Sequence, residues 1–85
     1  MSESESEIGR EILWTDLKVQ TIVVVVPPGP VEVAFTFWVR SIDAERVVFY
    51  SAVKTWMVLN FRGPDDTVVD DRGRKVAVYE YLGEP

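Results

Sequence analysis

The stretch VEVAFTFWVRSI (Val31–Ile42) alternates two unlike sets of side chains. Val31, Val33, Phe35, Phe37 and Val39 form an apolar set, whereas Glu32, Ala34, Thr36, Trp38 and Arg40 mix charge with a single indole. Side chains alternate across a strand with period two, so the stretch predicts a strand with a core face and a second, partly wet face. An indole beside charge on the wet side marks that face as a contact surface.

The preceding segment carries the same alternation. Leu13, Thr15, Leu17, Val19, Thr21, Val23 and Val25 share one face, and Trp14, Asp16, Lys18, Gln20, Ile22 and Val24 share the other. Pro27-Pro28-Gly29-Pro30 removes three amide donors and supplies a glycine, the chemistry of a turn, so 13–42 reads as a hairpin. Pairing Val25 with Val31 sets Val23 on Val33, Val19 on Phe37 and Leu17 on Val39. On the wet face it sets Asp16 opposite Arg40 and Lys18 opposite Trp38. A slip of one residue would place Gln20 and Lys18 among the phenylalanines, which disfavours it.

After a turn at Ser41–Arg46, residues 46–62 admit two readings. Asp43 could cap a helix over about 44–56, but its apolar residues would then spread around the whole circumference. As a strand, Val47, Phe49, Val53, Met57, Leu59 and Phe61 share one face, and Arg46, Tyr50, Lys54, Trp56, Asn60 and Arg62 the other. The wealth of β-branched and aromatic residues favours strand. Gly63-Pro64-Asp65-Asp66 breaks the chain and Thr67–Asp70 restarts it. Asp71-Arg72-Gly73 predicts a tight turn with Gly73 left-handed, and Lys75–Leu82 closes the fold with Val76 and Val78 inward and Tyr79 and Tyr81 opposite. The expectation is an all-β chain, a five-stranded antiparallel meander curled into a small barrel or compact sandwich. An α+β fold with a helix at about 44–56 is the alternative. Residues 10–85 are expected to form one domain, preceded by a flexible acidic arm, Met1–Gly9, too poor in apolar groups to order itself.

Composition narrows the chemistry. The chain of 85 residues has neither His nor Cys, which removes imidazole and thiolate catalysis and the usual zinc sites. Its isolated glycines match no phosphate loop, and no serine sits in a nucleophile elbow. No catalytic residue, metal site or cofactor is expected. Net charge is −5, but Glu3, Glu5 and Glu7 lie in the arm, which has no basic residue. The body is therefore close to neutral, which suits neither a mimic of DNA phosphates nor a non-specific nucleic-acid binder. The apolar run Ile22–Val26 stops at Pro27, far short of the roughly 18 residues a membrane span needs. The N-terminus has no apolar core of a signal peptide, so a cytoplasmic or virion-associated location is expected.

Three constellations remain. Trp14, Lys18, Trp38, Arg40, Tyr50, Lys54, Trp56 and Arg62 gather on the wet face, aromatics interleaved with cations. Such a surface suits a protein interface, or base stacking with phosphate contact. Asp65, Asp66, Asp70 and Asp71 form an acidic cluster beside Arg72, Arg74 and Lys75, and read as a solvated turn with internal ion pairs. A catalytic pairing of Glu32 with Asp16 or Glu80 is disfavoured, since cations stand near and so small a meander has little depth for a cleft. The expected function is non-enzymatic binding or assembly through the aromatic-basic face. A homo-oligomer or phage-type structural or accessory subunit would carry it. A nucleotide or single-stranded nucleic-acid module is the alternative, and an inhibitor of a host enzyme the third.

Overall fold

The computed structural model describes residues 8–30, 33–51 and 56–83. It is all-β and antiparallel, with strands β1 (Ile8–Glu11), β2 (Ile22–Val26), β3 (Phe35–Ile42), β4 (Arg46–Ser51), β5 (Trp56–Arg62), β6 (Val68–Val69) and β7 (Lys75–Tyr81). Three-residue 3-10 turns stand at Trp14–Asp16 and Pro64–Asp66. Among the described residues no helix forms within 44–56, and none is long and apolar enough to cross a membrane.

The sheet has seven strands in the order β1-β7-β2-β3-β4-β5-β6, with a further pairing of β6 on β7. The expected five strands are seven, while the antiparallel meander holds from β2 through β7, each strand pairing with the next. The last strand returns beside the first half of the chain, where Ala77–Glu80 pair with Val26–Val23. The pairings from β2 through β3, β4, β5, β6 and β7 therefore come back to β2, and β1 is added outside that circuit, on β7. β-Bulges or irregularities interrupt β1–β7 and the β3–β4 ladder between Val39 and Ser41.

The core is the apolar parity of each strand. Val23, Val25, Phe37, Val39, Val47, Phe49, Val68, Val76 and Val78 are buried in one cluster, joined by Trp14 and Leu17. The Phe37 and Phe49 rings stack at 6.0 Å between centroids. Phe37, Val39, Val76 and Val78 face inward as the alternation predicts.

The hairpin register differs from expectation. Val25 pairs with Phe35, Val23 with Phe37 and Ile22 with Trp38, so the partner lies four residues further along than predicted. An even slip keeps every side chain on its own face, and the hydrophobic pattern alone cannot detect it. Loop length decided instead, since β2 ends at Val26 and β3 starts only at Phe35. Val33, expected in the core, is exposed, and Val31 and Glu32 lie outside the described residues.

Leu13–Thr21 is not strand. Asp16 Oδ2 accepts the Leu13 amide at 3.1 Å and closes the 3-10 turn, and Gln20 is left-handed at φ 71°. A left-handed non-glycine residue cannot continue a strand. This segment rotates Trp14 into the core and leaves Leu13 and Val19 exposed, against the predicted faces, while Leu17 is buried as predicted. Trp14→Ala should therefore lower unfolding stability by about 3–5 kcal/mol, while Leu13→Ala should cost under about 1 kcal/mol. Urea unfolding of the two variants measures this, and equal losses would contradict the turn.

Candidate functional site

Residues on the outer parity of the sheet form one row across the strands. Ile22 pairs with Trp38, Trp38 with Tyr50, and Tyr50 with Met57. The next row on β4 and β5 adds Val48 opposite Leu59. Trp38 is 40% exposed, Met57 58% and Leu59 46%, so three large apolar side chains of neighbouring strands stand at the surface. Strands β3, β4 and β5 contain no acidic residue, and their cations are Arg40, Arg46 and Arg62.

Arg40 places its guanidinium carbon 5.9 Å from the Tyr50 ring centroid, a cation–π arrangement. It makes no ion pair among the described residues, nor does Lys18. Val19, Gln20, Trp38, Arg40 and Tyr50 line a depression of about 210 Å³. Trp38 is also one wall of a wider groove of about 620 Å³ that Arg10, Asp16, Lys18, Ile22, Glu80 and Tyr81 border. The structure thus brings Trp38, Arg40 and Tyr50 together as the sequence suggested, with Lys18 on the groove that Trp38 shares.

The remaining candidates go elsewhere. Trp14 is in the core. Trp56 lies on the inner parity, because Ser51 and Trp56 pair across the β4–β5 hairpin and so share a face. Its ring meets Phe37 edge-on at 5.4 Å and Phe35 at 6.2 Å, at the mouth of a separate apolar pocket of about 470 Å³. The same inversion buries Asn60, assigned above to the wet face, and turns Met57 and Leu59 outward, where the sequence reading had placed them in the core. Arg62 is tied to Asp66 through its Nε at 3.1 Å and through Nη2. Lys54 lies outside the described residues. Asp16 stands away from its expected place opposite Arg40, since the 3-10 turn holds it, and Trp38 faces Ile22 rather than Lys18. Met57 and Leu59 are the surface residues that sequence reasoning missed. The pairing of Ser51 with Trp56, which inverts the parity of β5, leaves no mark in the period-two pattern.

The acidic cluster is a pair of turns. Asp70 accepts the amides of Arg72 and Arg74, each at 2.9 Å, and the Arg74 guanidinium at 3.0 Å, while Gly73 takes φ 81°. Lys75 pairs with Glu11 rather than across the turn. Among the described residues no group of carboxylates is placed to hold a metal ion. Compared with protein-family models, curated proteins and solved structures, the chain matches none.

Two aspartates carry displaced proton affinities. The Glu45 and Arg46 amides, then the Arg46 charge, hold Asp43 below the ordinary value of 3.8. For Asp70 partial desolvation pushes upward, but the Arg74 and Arg72 amides and the Arg74 guanidinium together outweigh it and leave the carboxyl below 3.8. A lowered folded pKa contributes stability that is complete above the unfolded value and is lost as pH falls through the folded one. Asp70→Asn should therefore lose less stability than the parent chain between about pH 5 and pH 2. Urea midpoints across that range test it, and parallel curves would contradict the role of Asp70.

Proposed function

We propose that this chain is a non-enzymatic binding or assembly module whose outer β3–β4–β5 face docks on a protein, most simply a second copy of the chain. The row Trp38–Tyr50–Met57 carries the reading, with Leu59 beside it and no carboxylate on the three strands. Interfaces concentrate their binding energy in tryptophan, tyrosine and arginine near the centre of a patch, with apolar neighbours that exclude water. Trp38, Tyr50 and Arg40 supply the first set, and Met57, Leu59 and Val48 the second. We read the closed circuit of pairings as a small barrel, a rigid base for such a patch.

The nucleic-acid alternative loses support on this geometry. Continuous stacking with phosphate contact wants several aromatics and cations on one track. Trp56 and Arg62 are placed elsewhere, which leaves Trp38 and Tyr50 with Arg40 and Lys18.

Light scattering or sedimentation should find a dimer or larger species that dissociates on dilution. Trp38→Ala, and separately Met57→Ser with Leu59→Ser, should weaken association about tenfold or more, the equivalent of ~1.4 kcal/mol. Both changes are on exposed side chains and should leave the urea midpoint of the monomer nearly unchanged. A parent chain that stays monomeric at high concentration would refute self-assembly. Tryptophan quenching by short oligonucleotides that fades with salt would favour the alternative.

A further inference from the structure

The pocket at Trp56 holds polar groups that the core does not use. Val25, Phe35, Phe37, Val58 and Val76 give it apolar walls around about 470 Å³, within the usual range for small-molecule sites. Asn60 also lines it, on the inner parity of β5 opposite Val47. Only 3% of this residue is exposed, yet its side-chain amide has no hydrogen-bond partner among the described residues. No buried side-chain nitrogen or oxygen is sealed away without a partner, so the remaining opening of this amide is to the pocket. A hydrogen-bonding occupant would offset the cost of holding it unpaired in so apolar a place.

The edge of β5 adds a second set of unused groups. The Arg62 amide donates to the Glu45 carbonyl at 2.9 Å, on the β4 side. Bonded positions alternate along an antiparallel ladder, so Asn60, Val58 and Trp56 also bond toward β4. Phe61, Leu59 and Met57 turn their amides and carbonyls to the opposite edge. There Val69 pairs with Phe61, and β6 ends. Leu59 and Met57, which also line the pocket, are left with no backbone partner on that edge among the described residues. At the rim Arg74 is held by Asp70, whereas Asp71 makes no ion pair among the described residues.

We propose that this pocket binds a flat, uncharged or cationic nitrogen heterocycle of fused-ring size. The Trp56 ring stands edge-on to Phe35 and Phe37, so a planar aromatic guest finds ring partners there. The Asn60 carboxamide and the free edge of β5 each offer a donor beside an acceptor. A ring nitrogen next to an amino group answers such a pair, as adenine answers a carboxamide. An aliphatic chain would leave both unmatched, and an anion would meet the Asp71 carboxylate and the free carbonyls. The site needs no second copy of the chain, so it is independent of the assembly proposed above.

The probes are proflavine, a cationic fused-ring amine, and adenine, a smaller neutral one. Anthracene carboxylate serves as an anionic counterpart that lacks the ring nitrogen. In NMR titrations of the full chain the heterocycles should shift the Trp56 indole, the Asn60 side-chain amide and the Met57 and Leu59 backbone amides. The Trp38 indole on the outer face should stay in place. Proflavine binding should saturate and be about tenfold or more tighter than that of the carboxylate. Asn60→Leu should weaken proflavine and adenine about tenfold while the urea midpoint stays at or above that of the parent, since an unpaired buried amide is removed. If Asn60→Leu does not fold, Trp56→Leu at the pocket mouth takes its place, with a loss of about tenfold expected for proflavine. Asp71→Asn, on an exposed side chain, should weaken proflavine about twofold and leave adenine unchanged. No saturable binding of either heterocycle, equally tight binding of the carboxylate, or shifts centred on Trp38 would overturn the proposal. A chain that never self-associates leaves it intact.

Discussion

Strand β7 has three partners, and the rest of the structure depends on that. Tyr79 is matched at once to Glu11 of β1 and Val24 of β2, while Val76 and Lys75 meet Val68 and Val69 of β6. A sheet that ends in free edges exposes rows of unpaired amides and carbonyls. Here the C-terminal strand joins the first half of the chain to the second, and the backbone groups of both halves find partners. The pairing is long-range in sequence, so it forms only when most of the chain is in place. Once formed, it separates an inner parity, where Val76 and Val78 join the core, from an outer one that carries Tyr79 and Tyr81.

The second decisive event is the β4–β5 hairpin. Facing residues of an antiparallel pair share a face, so the match of Ser51 with Trp56 sends Trp56, Val58 and Asn60 inward and Met57, Leu59 and Phe61 outward. Indole and thioether exchange places relative to an uninterrupted strand. The outer face becomes more apolar and less basic than the sequence suggests. Trp56 becomes the edge-on neighbour of Phe35 and Phe37 at the mouth of an apolar pocket.

The local chemistry of turns was read from few residues and holds well. Asp43 accepts two amides at the β3–β4 turn where it had also been weighed as a helix cap. Asp70 and Gly73 build the β6–β7 turn as their types require. Pro64 with Asp65 and Asp66 ends β5, and both aspartates adopt positive φ, which short polar side chains tolerate better than most. The strand faces around Phe37, Val39, Val47 and Phe49 follow directly from period-two alternation. By contrast, Leu13–Thr21 alternates just as cleanly and is not strand. A 3-10 turn and a left-handed Gln20 reorient it, and the burial of Trp14 holds the result in place.

The amino-acid sequence by itself determined the all-β class, the inward faces of most strands, the turns around Asp43, Pro64 and Gly73, and the separation of acidic N-terminus from near-neutral body. These depend on side-chain type and near neighbours, which the order of residues states outright. Tertiary structure alone decided the register of β2 on β3, the return of β7 to β2, the parity of β5 and the burial of Trp14. An even register slip leaves the hydrophobic pattern intact, and a hairpin inverts parity without changing composition. Which aromatics meet solvent was therefore settled by loop lengths and long-range pairing, and Trp38, Tyr50 and Met57 came to share one surface for that reason.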